Sequence, residues 1–126
     1  MITALPTNIP GFNLSSALAR LDGNQDLLIK ILLRFAQEYA STSCQVNALL
    51  QDEQRAKAAF LLHRIQGAAL MIGANDLADI AQQLEIEVES GFVLESQNIF
   101  AKRLDDAVQA IRTHIPPADH QPAKTV

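Results

Sequence analysis

The stretch Leu62-His63-Arg64-Ile65-Gln66-Gly67-Ala68-Ala69-Leu70-Met71-Ile72-Gly73 carries its apolar residues at the spacing of one helix face. On a wheel of about 100° per residue, Leu62, Ile65, Ala69 and Ile72, with Ala58 before them, fall in one narrow stripe. That stripe is the face a globule buries. His63 lies roughly 150° from its centre, and Gly67 sits beside His63 one turn later, on the outside. Taken alone, His63 reads as a solvated surface histidine. Its neighbours point further: Phe60 and Leu70 lie on the same outward side with Ala56, Ala59 and Gly67 among them, an apolar, low surface suited to docking. Phe60 either belongs to that surface or packs on a short first helix. Gly67 gives up about 1 kcal/mol of helix propensity, which makes sense where a side chain would obstruct a partner.

The same period of about 3.6 runs through the rest of the chain. No proline falls between residues 11 and 115 and no alternating strand pattern occurs, which predicts an all-α fold. Asn13 is expected to cap a short helix from Leu14 to Leu21, ended by Asp22-Gly23, and Asn24 to cap the next. That second helix carries Leu27, Leu28, Ile31, Leu32, Phe35 and Tyr39, then continues through a bend at Ser41-Thr42-Ser43 to Val46, Leu49 and Leu50. After a turn at Gln51-Asp52-Glu53, the His63 helix is expected from about Gln54 to Ile72, with Gly73 as its stop. Asn75 is expected to cap a helix running to about Ser90, and a last helix spans about Leu94 to His114, where prolines block extension. Short connections between long amphipathic helices predict an antiparallel up-down-up-down four-helix bundle, with the short N-terminal helix capping one end. Residues 1–11 read as linker, 12–115 as the bundle and 116–126 as a flexible tail.

The 126 residues suffice for one domain, and 48% hydrophobic content supports a packed core. A formal net charge of -4 argues against nucleic acid as a partner. Cys44 is the only cysteine, so no internal disulfide forms, and it reads as a small buried apolar residue in a reducing compartment. The start lacks the basic and apolar pattern of a secretory signal, and Lys30 and Arg34 interrupt the apolar runs before membrane-spanning length. The expectation is a cytoplasmic monomer without direct membrane contact. Phosphate-binding loops, His-Glu-x-x-His and Glu-x-x-His pairs are missing from the sequence. His63, His114 and His120 are scattered, so a metal-binding bundle enzyme lacks ligands; His114 reads as a helix-terminal cation and His120 as a tail residue.

His63-x-hydrophobic-x-Gly67, followed by small residues, Gly73, Leu77 and Leu84-Glu85, resembles a histidine-containing phosphotransfer (HPt) domain. Upstream, Phe12 through Asn24 with Leu27, Leu28, Leu32, Leu33 and Phe35 is similar to the opening of such domains at the C-terminus of hybrid sensor histidine kinases. The resemblance covers most of residues 12 to 112. It implies a four-helix bundle in which His63 accepts a phosphoryl group from a receiver-domain aspartate and passes it to another receiver. It implies no ATP-binding kinase activity and no cofactor on this chain, because the receiver brings the Mg²⁺. A larger sensor protein would tether the domain to the inner membrane.

The resemblance also places a polar partner for the imidazole at Glu85, 22 residues after His63. A carboxylate there accepts from Nδ1–H and leaves Nε2 free. Gln82, one turn earlier, could serve instead, and Glu85 could equally be a solvated residue. Relatives commonly carry Lys three residues after the histidine; here that position is Gln66, with Arg64, Arg55 or Lys57 as the cations left to compensate. The competing function is a helical interaction module that docks a receiver or another protein through Phe60, His63 and Leu70 without being phosphorylated.

Overall fold

The computed structural model describes residues 8–91 and 93–115. Its helices are α1 (Leu14–Arg20), α2 (Gln25–Tyr39), α3 (Thr42–Gln51), α4 (Arg55–Met71), α5 (Asn75–Ser90) and α6 (Gln97–His114), with no strand among the described residues. The two expected asparagine caps form: Asn13 Oδ1 accepts from Ser16 N–H and Asn24 Oδ1 from Leu27 N–H, each at 3.0 Å.

The bend expected after Tyr39 is a full break at Ala40 and Ser41, so α2 and α3 are separate helices forming one kinked leg of the bundle. α4 packs chiefly on α5, α5 on α6, α6 on both α2 and α3, and α3 on α4, which closes the antiparallel four-legged ring around one core. Leu28, Leu32, Leu62, Ile65, Leu84, Leu104 and Ile111 meet at its centre with 1% exposure or less. Each such side chain contributes about 1.5–3 kcal/mol by leaving water.

Four expectations change. Ile9 is fully buried and Phe12 N–H donates to its carbonyl, so the core begins before residue 12 and the expected linker through residue 11 is shorter. Asn75 does not cap α5: Gly73 turns the chain so tightly that Ala74 N–H reaches the Ala69 carbonyl at 2.8 Å, and buried Ala74 takes the cap position. The last helix starts at Gln97 rather than Leu94, because the buried Glu87 carboxylate accepts from Glu95 N–H, Ser96 N–H and Ser96 Oγ and holds that segment out of helical geometry. Cys44 is exposed rather than buried, since Thr42 and Val46 supply the inward face of α3. The tail from 116, with His120, lies outside the described residues.

Gly73 does more than stop a helix. Its φ is +78°, its carbonyl accepts from Asn13 N–H at 2.8 Å, and a Cβ there would collide with the Asn13 backbone. Beside it, Arg20 Nη1 donates to the Leu70 carbonyl. Asn13 N–H and Arg20 Nη1 thereby tie both ends of α1 to the turn after α4, the Leu70 carbonyl also accepting from Gly73 N–H.

Candidate functional site: the outer face of α4

Ala58, Leu62, Ile65, Ala69 and Ile72 are each 0% exposed, so the stripe read from the sequence is the face α4 buries. His63 consequently projects outward, with 72% of its side chain exposed. α5 runs alongside and brings Glu85, whose side chain is 15% exposed, to 3.4 Å between Oε2 and His63 Nδ1. This is a polar contact longer than an ordinary N–H···O hydrogen bond. A carboxylate only accepts, so it favours the tautomer with hydrogen on Nδ1 and leaves the Nε2 lone pair toward the open side. Gln82 is exposed and makes no hydrogen bond to His63, so of the two candidate partners the fold brings Glu85 to the ring.

Between α4 and the C-terminal half of α5 lies an open groove of about 680 Å³, with Phe60 and His63 on one wall and Glu85, Val88 and Glu89 on the other. Phe60 is 61% exposed and lines the groove, so it is not packed away against α1. Ala59 departs from expectation: at 6% exposure it is a core residue, because its position on α4 turns toward α5, and its methyl floors the groove. Leu70 and Met71 remain 41% and 47% exposed and continue the apolar stripe beyond His63. Gly67 is exposed, and a Cβ there would meet nothing within 4 Å. Close packing therefore does not explain this glycine.

Gln66, one turn from His63, is half-buried, and Arg64 is exposed about 100° around the helix. Arg55 acts elsewhere: its Nε donates to the Val88 carbonyl at 3.0 Å. A cation in the first turn of α4 opposes that helix's own dipole, yet the antiparallel α5 presents its carbonyl end at the same level, and there the guanidinium is favourable. The signal in the sequence was an arginine at a helix start facing a neighbour with no basic residue in its last turn.

Glu87 was not anticipated either. It is 5% exposed on the core side of α5, and Ser96 Oγ donates to Oε2 at 2.6 Å. Burial pushes its carboxyl up, but hydrogen bonds from Ser96 Oγ, Gln83 Nε2, Glu95 N–H and Ser96 N–H outweigh burial and hold it below the ordinary carboxylate value. An acidic residue within the apolar stripe of α5, nine residues before a serine, was the available signal. His114 Nδ1 lies 2.9 Å from the Ala110 carbonyl of its own helix and plays no part in this site. Among the described residues, no three His, Cys, Asp or Glu side chains converge as metal ligands.

Compared with known protein families, the chain matches the Hpt domain over residues 28–114. The match spans α2 to α6 and includes His63, Gly67 and Glu85. No curated protein and no solved structure matches the chain.

Proposed function

The chain belongs to the Hpt domain family, whose members relay phosphoryl groups to and from receiver domains in two-component signalling, and we propose that His63 is its phosphoacceptor. The observation that carries this reading is an outward imidazole with Glu85 at 3.4 Å from Nδ1 and open backbone at Gly67 beside it.

Neutral imidazole near pH 7 is a nucleophile without a separate base. Nε2 attacks the phosphorus of a receiver aspartyl phosphate, the N–P bond forms, and the P–O bond breaks as the aspartate leaves as carboxylate. Nδ1 keeps its hydrogen throughout, so no proton moves and the ring becomes cationic beside the Glu85 carboxylate. Delivery to a second receiver reverses each event: the N–P electron pair returns to Nε2, and the neutral Nδ1–H tautomer is restored. Such transfer depends mainly on in-line alignment and on neutralising the phosphoryl oxygens. The receiver supplies Mg²⁺ for the second task. On the side of this chain the apolar residues around His63 do the aligning.

The resemblance of residues 12–35 to the opening of hybrid-kinase modules supports a place for the domain within a larger sensor. Any membrane attachment would belong to another part of that sensor, since no described helix is long and apolar enough to cross a bilayer.

A phosphorylated receiver with Mg²⁺ is expected to label the chain with an acid-labile, base-stable phosphate, and His63→Ala to abolish the label. Labelling of the alanine variant at the wild-type level refutes the assignment. Binding of a receiver without any label would favour the interaction-module reading.

A further inference from the structure

The groups flanking the exposed face of α4 differ in sign from one edge to the other. From Phe60, Lys57 and Arg64 lie about 40–60° around the helix on the side toward α2 and α3, and both are exposed. On the opposite side the α5 wall of the groove carries Glu85 and Glu89, with Glu89 exposed. Among the described residues the close contacts between acidic and basic side chains are Arg34–Glu38, His63–Glu85 and Lys102–Asp106, so Lys57, Arg64 and Glu89 have no charged partner within 4.0 Å. Arg55 also reaches the groove, but its guanidinium is bonded to the Val88 carbonyl and offsets the dipole end of α5. Between the two edges run Phe60, Gly67, Leu70 and Met71, apolar or bare.

We propose that this face is an orientation-selective docking surface: an apolar strip with a basic edge along α4 and an acidic edge along α5. It fits a receiver whose apolar contact patch is bordered by acidic groups on one side and basic groups on the other. The proposal rests on the reading of His63 as phosphoacceptor and adds how the partner is turned. Facing like charges disfavour the half-turn alternative, whereas exposed opposite charges accelerate encounter in the productive pose. A nucleic acid or an anionic membrane would meet Lys57 and Arg64 but be repelled along the acidic edge. The face is therefore matched to a protein with both signs of charge.

The test uses the full chain and receiver domains from the genome that encodes it, each phosphorylated with phosphoramidate, freed of the donor and given Mg²⁺. Transfer to wild type, Lys57→Glu and Glu89→Lys is timed at low and high salt, and each rate is normalised to loading of the same variant directly from phosphoramidate, which requires no docking. With the receiver fastest toward wild type, each reversal is expected to slow normalised transfer about fivefold at low salt, the deficit shrinking as salt is raised. Two reversals that leave transfer within about twofold of wild type, or one that accelerates it, overturn the proposal while the phosphoacceptor reading stands. Failure of wild type to load from any receiver or from phosphoramidate overturns both. A wild-type dimer that dissociates in Glu89→Lys assigns the face to a second copy of the chain and overturns the receiver proposal.

Discussion

Substitutions at Gly67 separate the stability of α4 from access to His63. A Cβ at position 67 would meet nothing within 4 Å, and the position is exposed within a regular helix. Alanine there incurs no clash and gains the full propensity difference, about 1 kcal/mol. With an unfolding entropy of about 2.1 cal/mol/K per residue, a domain of this size should gain about 4 °C in melting temperature. Glutamine should also stabilise, by about half as much. Function is expected to move the opposite way. With His63 as the proposed phosphoacceptor, the bare backbone beside the imidazole would admit a receiver's catalytic loops placing an aspartyl phosphate in line with Nε2, and misplacement of about 1 Å can reduce such a rate about a hundredfold. Gly67→Gln should therefore slow receiver-dependent transfer at least about tenfold, equivalent to roughly 1.4 kcal/mol, with Gly67→Ala between it and wild type. Thermal melts followed by circular dichroism, together with timed transfer from a phosphorylated receiver, measure both quantities. A glutamine variant that transfers at the wild-type rate refutes the access role, and an alanine variant that melts below wild type refutes the open space.

Gln66→Lys places a cation whose ammonium reaches solvent one turn from the phosphoryl group of a phosphorylated His63 and should lengthen phosphohistidine lifetime, or shift the transfer equilibrium, by a factor of about two to five at low salt, less at high salt. If that variant changes nothing while neutralising Arg64 shortens the lifetime, Arg64 already fills the role. Because the native-state pKa of Glu87 lies below its unfolded value, its contribution to stability is complete above about pH 4.5 and is lost as pH falls through the lower folded value. Glu87→Gln should lower stability by about 1–2 kcal/mol at pH 7 and flatten the acid limb, read from urea midpoints between neutral and acid pH; an unchanged acid limb would refute the stabilising role of the Glu87 hydrogen bonds.

Legibility from the sequence followed the length of the signal. The α4 stripe was readable because five positions repeat one angle, and everything deduced from its opposite face, including the outward His63 and the bare Gly67, came with it. Asn13 and Asn24 were readable as caps because each acts within three residues. Ala59 was misread because it sits at the margin between faces, where the neighbouring helix decides burial. Residue type alone favours burial of Cys44, but its angle on α3 does not, since that helix buries the side of Thr42 and Val46. Glu87 escapes because Ser96 follows a loop whose path the periodicity does not carry, and Arg55 because Val88 lies on a neighbouring helix whose facing register the periodicity of α4 does not give.

The contact between His63 and Glu85 is a matter of hairpin register. In two antiparallel helices, residues about equally far from the turn come level, and His63 lies ten residues before Gly73 while Glu85 lies twelve after it. A slip of one residue would carry the carboxylate about 1.5 Å along α5 and about 100° around it, away from Nδ1. What fixes the register is the tightness of the turn, with Ala74 N–H bonded to the Ala69 carbonyl and Gly73 in a left-handed conformation pressed against the Asn13 backbone. The approach of Glu85 to His63 Nδ1 thus depends on a glycine and an asparagine at the end of the bundle, far from the imidazole. This explains how one helix serves two purposes. Its inner face and its turn are committed to the fold, and its outer face, which buries little, is free to be small, apolar and open around His63, as the proposed docking of a receiver requires.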